Sequence, residues 1–280
     1  MEQEEEKEFN LSEYPNLIPY ECTKEILNQM EKNICKIKIG QIQGTGFFCK
    51  IPFPNEKNLL KVLITNNHII NEDILYKKDQ VISIYIKEKK KIKELNLNDR
   101  IKYTKKKQEY DTTIIEIKEE DDINNYLELD DKIIKDIINS DNENVEFIDK
   151  THYIIQYPEG KLSVSFGVIK TIADDKKYKL NHTCNTKYGS SGSPILALNN
   201  KVIGLQTGGT KKDKKGTFLN YPIKDFIKEF FNKNDDKGFI DKKINEIFLK
   251  EINNKFKLNI KNFDITKYNQ LEGYLGNDGF

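Results

Sequence analysis

The sequence predicts an all-β protein of two packed antiparallel β-barrels, with an N-terminal helix, a helix that closes the second barrel and an extra C-terminal tail. Short runs of alternating apolar and polar residues recur along the chain, and Gly, Pro, Asn or Asp separates them. Between these runs the sequence lacks the helical segments that a parallel α/β sheet needs for its crossovers. A chain of 280 residues is long enough to bury a core in each of two packed halves.

The elements follow in order along the chain. Residues 21–33 place apolar side chains at helical spacing after Thr23, a candidate N-cap. The first strand set, over about 35–125, consists of the runs ICKIKIGQI, GTGFFCKIPF, KVLITNNHII, VISIYIKEKKKIKEL and DTTIIEIK. The second set, over about 145–222, consists of HYIIQYP, KLSVSFGVIKTI, SPILAL, KVIGLQTGG and GTFLNYP. The segment YPIKDFIKEFFNK then has the pattern of an amphipathic helix.

These elements divide the chain into three predicted segments. Residues 1–34 are an acidic lead and the N-terminal helix, 35–232 hold the two barrels, and 233–280 are an extension of unknown role with one candidate helix, INEIFLKEINNKF. Residues 119–150 have the highest density of acidic side chains, and we interpret them as the link between the two strand sets.

The charge balance argues against nucleic acid and membrane as partners. The 46 basic residues face 45 acidic ones, and Arg100 is the only arginine, so a long-range field and bidentate arginine contacts to bases are both missing. The lysine clusters at 89–91, 105–107 and 211–215 lie among acidic residues, which is typical of solvated loops and strand edges. Oligomeric state is not predicted.

The cysteines and the lack of a recognisable targeting segment predict an intracellular, cytoplasmic protein. No apolar run reaches about 18 residues, and the acidic N-terminus has no hydrophobic core of a secretory signal. The cysteines, Cys22, Cys35, Cys49 and Cys184, show no CxxC pair, so we expect no structural zinc site, and a reduced buried state is typical of intracellular cysteines. No cofactor motif is present.

The strongest motif is YGSSGSP over 188–194, which precedes the apolar run ILAL. A serine between glycines on a tight turn exposes its hydroxyl, and Gly189 allows a positive φ beside it. The amides of Gly189 and Ser191 then converge on one point, as an oxyanion hole requires. A plain Ser/Gly turn between strands explains the heptapeptide equally well.

Two further motifs supply partners for this serine. His68 ends the apolar run LIT with NNHII, and Asp111 begins the strand DTTIIEI after Tyr110. Taken alone, His68 is better explained as a structural histidine. Asp111, taken alone, is better explained as a solvated strand start. Serine becomes nucleophilic at neutral pH only when a base removes its proton, and histidine needs a carboxylate to hold its tautomer. The order His, Asp, Ser places two of these groups in the first strand set and one in the second.

With these motifs in place, the sequence resembles the trypsin-like (chymotrypsin-fold) serine peptidases. GTGFF, LITNNHI, YDTTIIEI and GSSGSPIL match the family's opening strand, histidine, aspartate and serine motifs over about 35–232. The resemblance is to the disulfide-free branch that includes Deg-type and glutamyl endopeptidases. It implies a serine endopeptidase acting on protein or peptide substrates, with His68 as general base, Asp111 as its orienter, Ser191 as nucleophile and the Gly189 and Ser191 amides as oxyanion hole.

The resemblance also implies a substrate-binding strand and a specificity pocket. Thr207 and Gly208 match the family's edge strand that pairs with substrate, and the Thr207 hydroxyl is expected to donate to Asp111. Asn185 stands where trypsin has its pocket aspartate, and Gln206 stands where glutamyl endopeptidases have a histidine. We therefore expect a polar, uncharged pocket, unless His182 reaches it.

Departures from the secreted members of the family have consequences too. Ser190 replaces the aspartate that pairs with a newly cut N-terminus, so zymogen activation of that kind is not expected. Ile69 replaces the cysteine that follows the catalytic histidine, in keeping with an intracellular location.

Two other functions compete with the peptidase. One is a catalytically silent trypsin-like pseudo-peptidase that acts as a peptide-binding or scaffold module; the other, a lysine-rich nucleic-acid binder, is opposed by the charge balance.

Overall fold

The computed structural model describes residues 15–53, 59–87, 91–139, 144–173, 175–210 and 214–235. The predicted acidic lead over 1–10 and the candidate helix of the tail lie outside these residues. Within the described part of the chain, no helix combines the length and apolarity that a membrane crossing needs. The chain divides into two compact units. One comprises the residues up to Ile51 with Lys61–Pro222, and the other comprises Pro52–Leu60 with the residues from Ile223.

The first strand set forms a single sheet, which the path of hydrogen-bonded neighbours does not close among the described residues. The sheet contains β1 (Ile34–Ile39), β2 (Ile42–Pro52), β3 (Leu59–Thr65), β4 (Val81–Ile86), β5 (Lys91–Asn96), β6 (Lys102–Lys105), β7 (Thr112–Glu116) and β8 (Leu127–Glu128). The order is β5-β4-β1-β2-β3-β7-β6, and β8 pairs with β2 in parallel. One face of the sheet covers a core that includes Ile37, Phe48, Leu63 and Ile115. Alternate residues of each strand point to that face, which explains the sequence pattern.

The second strand set forms a closed six-stranded barrel, as predicted. Its strands are β9 (Thr151–Gln156), β10 (Ser163–Ile172), β11 (Lys179–His182), β12 (Pro194–Ala197), β13 (Val202–Gly209) and β14 (Lys214–Phe218). They close in the order β10-β11-β14-β13-β12-β9. Ile154, Leu180, Ile195 and Leu205 are buried in this barrel. The all-β fold class is therefore confirmed, with a half-barrel sheet in place of the first closed barrel.

The N-terminal helix is α1 (Tyr20–Lys32), and Pro19 occupies its N-cap position. The prediction of Thr23 as N-cap is wrong, because Thr23 lies inside the first turn and its hydroxyl donates to the Pro19 carbonyl. The ring of Pro19 fixes its φ in the extended region, and this proline occupies the N-cap position without a side-chain hydrogen bond. The helix is anchored to the second barrel through Gln29, whose amide donates to the Asn200 carbonyl at 2.8 Å. A short helix, α2 (Glu72–Leu75), follows β3.

The acidic segment over 119–150, interpreted as a link, contains structure of its own. Besides β8 it holds α3 (Asp131–Asn139), in which Asp136 is fully buried. The Asp136 carboxylate accepts from Lys132 at 2.7 Å and from the Asn220 side-chain amide at 3.3 Å. Buried charge is tolerated because it is paired and hydrogen-bonded. The interpretation of this segment as a link rested on its acidic density and therefore missed the helix α3.

The predicted helix over YPIKDFIKEFFNK is confirmed as α4 (Asn220–Asp235). Most of α4 belongs to the second compact unit. There the Phe53 ring packs edge-on against Phe230 at 4.7 Å between centroids and against Phe226 at 5.1 Å. This aromatic cluster ties the end of β2 to the helix within that unit.

The single arginine has an internal role. The Arg100 guanidinium makes two hydrogen bonds to the Asp121 carboxylate, at 2.6 and 2.7 Å, and both side chains are 4% exposed. Its Nη1 also reaches the Glu116 carbonyl. Arginine is the residue best suited to phosphate or base contacts, and here its guanidinium is buried and bonded to Asp121.

Candidate active site

His68 follows β3 on a turn built by asparagines. The Asn66 carbonyl accepts from the amides of Ile69 and Ile70 at 3.2 and 3.1 Å, which bends the chain sharply after the strand. The Asn66 side-chain amide donates to the Asp111 carbonyl at 2.8 Å. The His68 side chain is 35% exposed. The NN dipeptide before the histidine thus ties the His68 turn to the strand that carries Asp111.

Asp111 lies just before β7 and accepts two hydrogen bonds from His68. Its Oδ2 is 2.8 Å from the His68 Nδ1, and its Oδ1 accepts from the His68 main-chain amide at 3.2 Å. The Asp111 side chain is 2% exposed. Its backbone adopts a left-handed φ of 51°, which aspartate tolerates better than most residues. Because a carboxylate only accepts hydrogen bonds, this pair holds the proton on Nδ1 and leaves the Nε2 lone pair free.

Ser191 lies on a loop that its neighbours brace. The Ser190 hydroxyl accepts from the Lys187 amide at 3.0 Å, and the Ser193 hydroxyl donates to the Ser190 carbonyl at 2.6 Å. Gly189 and Gly192 adopt φ values of 91° and 87°. Ser190 therefore supports the loop from within, at the position where secreted relatives use an aspartate.

The loop packs against the strands that lead to His68. The Thr45 amide donates to the Ser191 carbonyl at 2.8 Å, and the Thr45 hydroxyl donates to the Gly189 carbonyl at 2.8 Å. A Cβ on Gly192 would lie 2.0 Å from the Thr45 carbonyl oxygen and 2.5 Å from the Thr65 hydroxyl. Thr65 ends β3, three residues before His68. Among the described residues, the Ser191 hydroxyl and the His68 ring form no hydrogen bond.

Of the two amides expected to form an oxyanion hole, that of Gly189 is oriented by a neighbouring loop. The Tyr188 carbonyl accepts from the Glu159 amide at 2.7 Å. In a planar trans peptide the next N–H points the opposite way, so the Gly189 N–H is directed away from Glu159. Neither the Gly189 nor the Ser191 N–H has an acceptor within the described chain. A Cβ on Gly189 would lie 2.5 Å from the Tyr157 carbonyl, so this position demands glycine.

Comparison with known proteins agrees with this geometry. Residues 44–205, more than half of the chain, match the trypsin-like peptidase domain family. The chain belongs to the trypsin-like peptidase family. No curated protein matches the sequence.

Solved structures share the trypsin-like fold. The inactive form of Rv3671c from M. tuberculosis H37Rv is 13% identical with a TM-score of 0.51, over 78% of this chain and 96% of that one. Deg5 is 15% identical with a TM-score of 0.51, over 72% and 91%. The serine endoprotease from Yersinia pestis is 13% identical with a TM-score of 0.51, over 76% and 68%. At these identities the likeness concerns the fold.

The structure joins two of the predicted pocket residues of this trypsin-like peptidase. The His182 Nε2 is 2.6 Å from the Gln206 Oε1, and the Gln206 amide donates to the Gly208 carbonyl at 3.0 Å. His182 and Gln206 are both buried, whereas Asn185 is exposed. The main-chain amide of Asn185 donates to the Ser165 hydroxyl. Contact of these residues with substrate stays a prediction.

Thr207 departs from one expectation. Its hydroxyl donates to the Lys215 carbonyl at 3.1 Å and not to Asp111, so the predicted Thr207–Asp111 hydrogen bond is wrong. A register shift between β13 and β14 at Gln206–Gly208 accompanies this contact, which is local to the strand pair. Gly208 has a φ of 148°, and a Cβ there would meet nothing within 4 Å. The space beside Gly208 is therefore open, and the pairing of this strand with substrate stays a prediction.

Sequence reasoning missed several residues that shape the site. Thr45 and Glu159 contact the loop that carries Ser191, as described above. Glu159 stands in no recognisable motif, and Thr45 lies in GTGFF, which indicated only the opening strand. Lys214 brings an ammonium group 3.4 Å from the Thr186 carbonyl, beside Asn185, where an uncharged pocket was expected. One group with metal-ligand chemistry also emerges among the described residues, formed by His152, His182 and Cys184.

Proposed function

We propose that this trypsin-like peptidase is a serine-type endopeptidase whose peptidase domain spans 35–232. His68 is the general base, Asp111 its orienter and Ser191 the nucleophile. The observation that carries the proposal is the 2.8 Å contact between the His68 Nδ1 and the buried Asp111 carboxylate. It supports the imidazole tautomer that carries its proton on Nδ1, in which Nε2 is the proton acceptor.

The proposed reaction passes through an acyl-enzyme. The His68 Nε2 takes the Ser191 hydroxyl proton while Oγ attacks the substrate carbonyl carbon, and the buried Asp111 carboxylate stabilises the imidazolium. His68 then gives this proton to the leaving amine as the peptide C–N bond breaks. In the second half, water loses a proton to His68 and attacks the ester carbon. The bond between that carbon and Oγ then breaks, the carboxylic acid product leaves, and His68 returns the proton to Ser191.

The Gly189 and Ser191 amides are proposed to stabilise the negative charge on the substrate oxygen. Their N–H groups have no acceptor within the described chain, and the Tyr188 carbonyl is held away by Glu159. Donors that are fixed before the reaction need no reorganisation when the charge develops. Glycine at 189 is required by the close approach of the Tyr157 carbonyl.

Substrate is proposed to bind as an extended peptide along the outer part of β13. Thr207, Gly208 and Gly209 end this strand, and only glycine backbone lies at its last two positions. Asn185, Gln206 and Thr207 are the proposed pocket and strand contacts, with His182 behind Gln206. The substrates are proteins or peptides.

The test is cleavage of a mixed peptide library, analysed by mass spectrometry, with the wild type and Ser191→Ala side by side. We expect the variant to lose turnover by a factor on the order of 10⁶, since the nucleophile is removed while the fold is retained. Ser163→Ala, a matched change at a serine outside the nucleophile loop, should cleave like the wild type. Equal cleavage by Ser191→Ala and wild type would contradict the proposal.

A catalytically silent peptide-binding module is the second candidate. It is favoured by one observation, the lack of a hydrogen bond between Ser191 and His68 in the described structure. Catalytic hydrogen bonds are often long before substrate binds, so this observation weighs less than the His68–Asp111 pair. If the second candidate holds, the wild type and Ser191→Ala leave every library peptide uncut and retain the same peptides on a column.

A further inference from the structure

A cluster of metal-ligand side chains lies inside the second barrel, apart from the His68–Asp111 pair. His152 lies on β9, His182 ends β11, and Cys184 follows two residues later. One ligand atom from each lies within 4.8 Å of the others, and the His152 Nε2 is 3.3 Å from the Cys184 Sγ. A bound ion with bonds of about 2.0–2.3 Å holds its ligands roughly 3.3–3.8 Å apart, so only small side-chain shifts separate the cluster from coordination. We propose that His152, His182 and Cys184 form a binding site for copper(I).

The hydrogen bonds around His182 prepare it as a ligand. The Gln206 amide nitrogen donates to the Gly208 carbonyl, which turns the Gln206 oxygen towards the His182 Nε2 at 2.6 Å. An oxygen acceptor there requires the proton on Nε2, and the lone pair then lies on Nδ1. In the absence of metal, Nδ1 accepts a hydrogen bond from the Cys184 main-chain amide at 3.2 Å, which coordination would replace. A ligand histidine whose other ring N–H donates to a carbonyl is the usual outer-sphere arrangement of metal sites.

Metal binding exchanges the Cys184 thiol proton for the ion. It proceeds as Cu⁺ plus Cys–SH giving Cys–S–Cu plus H⁺. The S–H bond breaks, the S–Cu bond forms, the proton goes to solvent, and no electron is transferred.

Charge favours copper(I) over zinc(II). All three residues are buried, with 3% exposure or less, so a net charge at the site is costly. One thiolate neutralises a monovalent ion completely but leaves zinc with an excess positive charge. The Lys214 ammonium, which interacts electrostatically with His182, opposes that excess. Thiolate and imidazole are also the soft and borderline ligands that suit copper(I).

Cys184 lies near the start of the irregular stretch over 183–193, in which Asn185, Lys187 and Tyr188 are exposed. Cys35 and Cys49 are equally buried, yet no described histidine accompanies them in a metal-ligand group. Cys49 therefore provides a matched control, a buried thiol without imidazoles.

The experiment uses full-length protein carrying Ser191→Ala, so that its outcome is independent of the proposed peptidase activity. Copper(I) is titrated without oxygen in competition with the chromophoric chelator bicinchoninate, and zinc(II) is titrated in parallel with its own chelator. We expect one tightly held copper(I) per chain and one proton released. Adding Cys184→Ala should weaken copper binding more than about 100-fold, beyond what loss of an outer-sphere partner costs, whereas Cys49→Ala should not change it.

Three results would overturn the proposal. These are no copper retained by the parent protein, equal retention by the Cys184→Ala and Cys49→Ala variants, or tighter binding of zinc(II) than of copper(I). X-ray absorption on the copper-loaded parent keeps the test decisive if the Cys184→Ala variant fails to fold. One sulfur and two imidazole nitrogens per copper are expected, and a copper shell without sulfur contradicts the assignment.

Discussion

Thr45 connects the first sheet to the nucleophile loop, and replacing it with valine tests how that loop is held. Its fully buried hydroxyl donates to the Gly189 carbonyl at 2.8 Å and accepts from the Tyr157 amide at 3.0 Å. Thr45→Val keeps the shape but removes both hydrogen bonds. Removing the partner of a buried polar group costs about 1–3 kcal/mol, so we expect the two losses together to lower the free energy of unfolding by roughly 2–6 kcal/mol.

The same change should also slow catalysis. Gly189 supplies a proposed oxyanion donor, and a shift of about 1 Å at such a group costs on the order of 10²-fold in rate. Urea unfolding and kcat for a library-derived peptide measure the two effects. Thr171→Val, a threonine-to-valine change at an exposed strand position, should stay within about 0.5 kcal/mol of the wild type. If Thr45→Val matches Thr171→Val in both measurements, the account of the loop anchor is wrong.

Three further predictions concern the orienting carboxylate, the glycine turn and the buried histidines. Asp111→Asn should lower kcat on the order of 10⁴-fold by disturbing the His68 tautomer, whereas Asp99→Asn, an exposed aspartate that also has a positive φ, should not. Gly192→Ala should abolish peptide cleavage, because its Cβ would lie 2.0 Å from the Thr45 oxygen; Gly40→Ala, with a positive φ but open space, should cleave normally. The folded-state pKa values of His152 and His182 lie below that of an unfolded histidine, so the unfolded chain binds protons first and stability should fall as pH drops below about 6.5. In metal-free protein each contributes about 2 kcal/mol of this loss at pH 5, which His152→Gln should reduce in urea unfolding; a loss as large as that of the wild type would contradict this prediction.

The motifs predicted the parts of the candidate site that local chain geometry controls. A histidine just past a buried strand and a serine between two glycines are recognisable because the turns they occupy demand those residue types. The strand periodicity likewise predicted the second barrel, because alternate side chains face one core. These predictions needed no knowledge of which strands pair.

What the sequence could not predict depends on contacts between distant segments. The Thr207 hydroxyl turned to Lys215 because the register of β13 against β14 shifts locally, and one sequence does not encode that register visibly. The burial of Asp136 in α3 was hidden because its partner Asn220 lies 84 residues away along the chain. His152 and Cys184 likewise come together only when the barrel closes, so spacing along the chain revealed no metal-ligand pattern.

Labelling with a fluorophosphonate probe tests whether Ser191 is an activated nucleophile. The probe reacts with a serine only when a base activates it and an oxyanion hole stabilises the adduct. Native wild-type protein is incubated with the probe, and the modified residue is located by peptide mass spectrometry. The account predicts one adduct on Ser191, lost in His68→Ala and in heat-unfolded protein. Native protein that acquires no adduct, or an adduct on another serine, would contradict it.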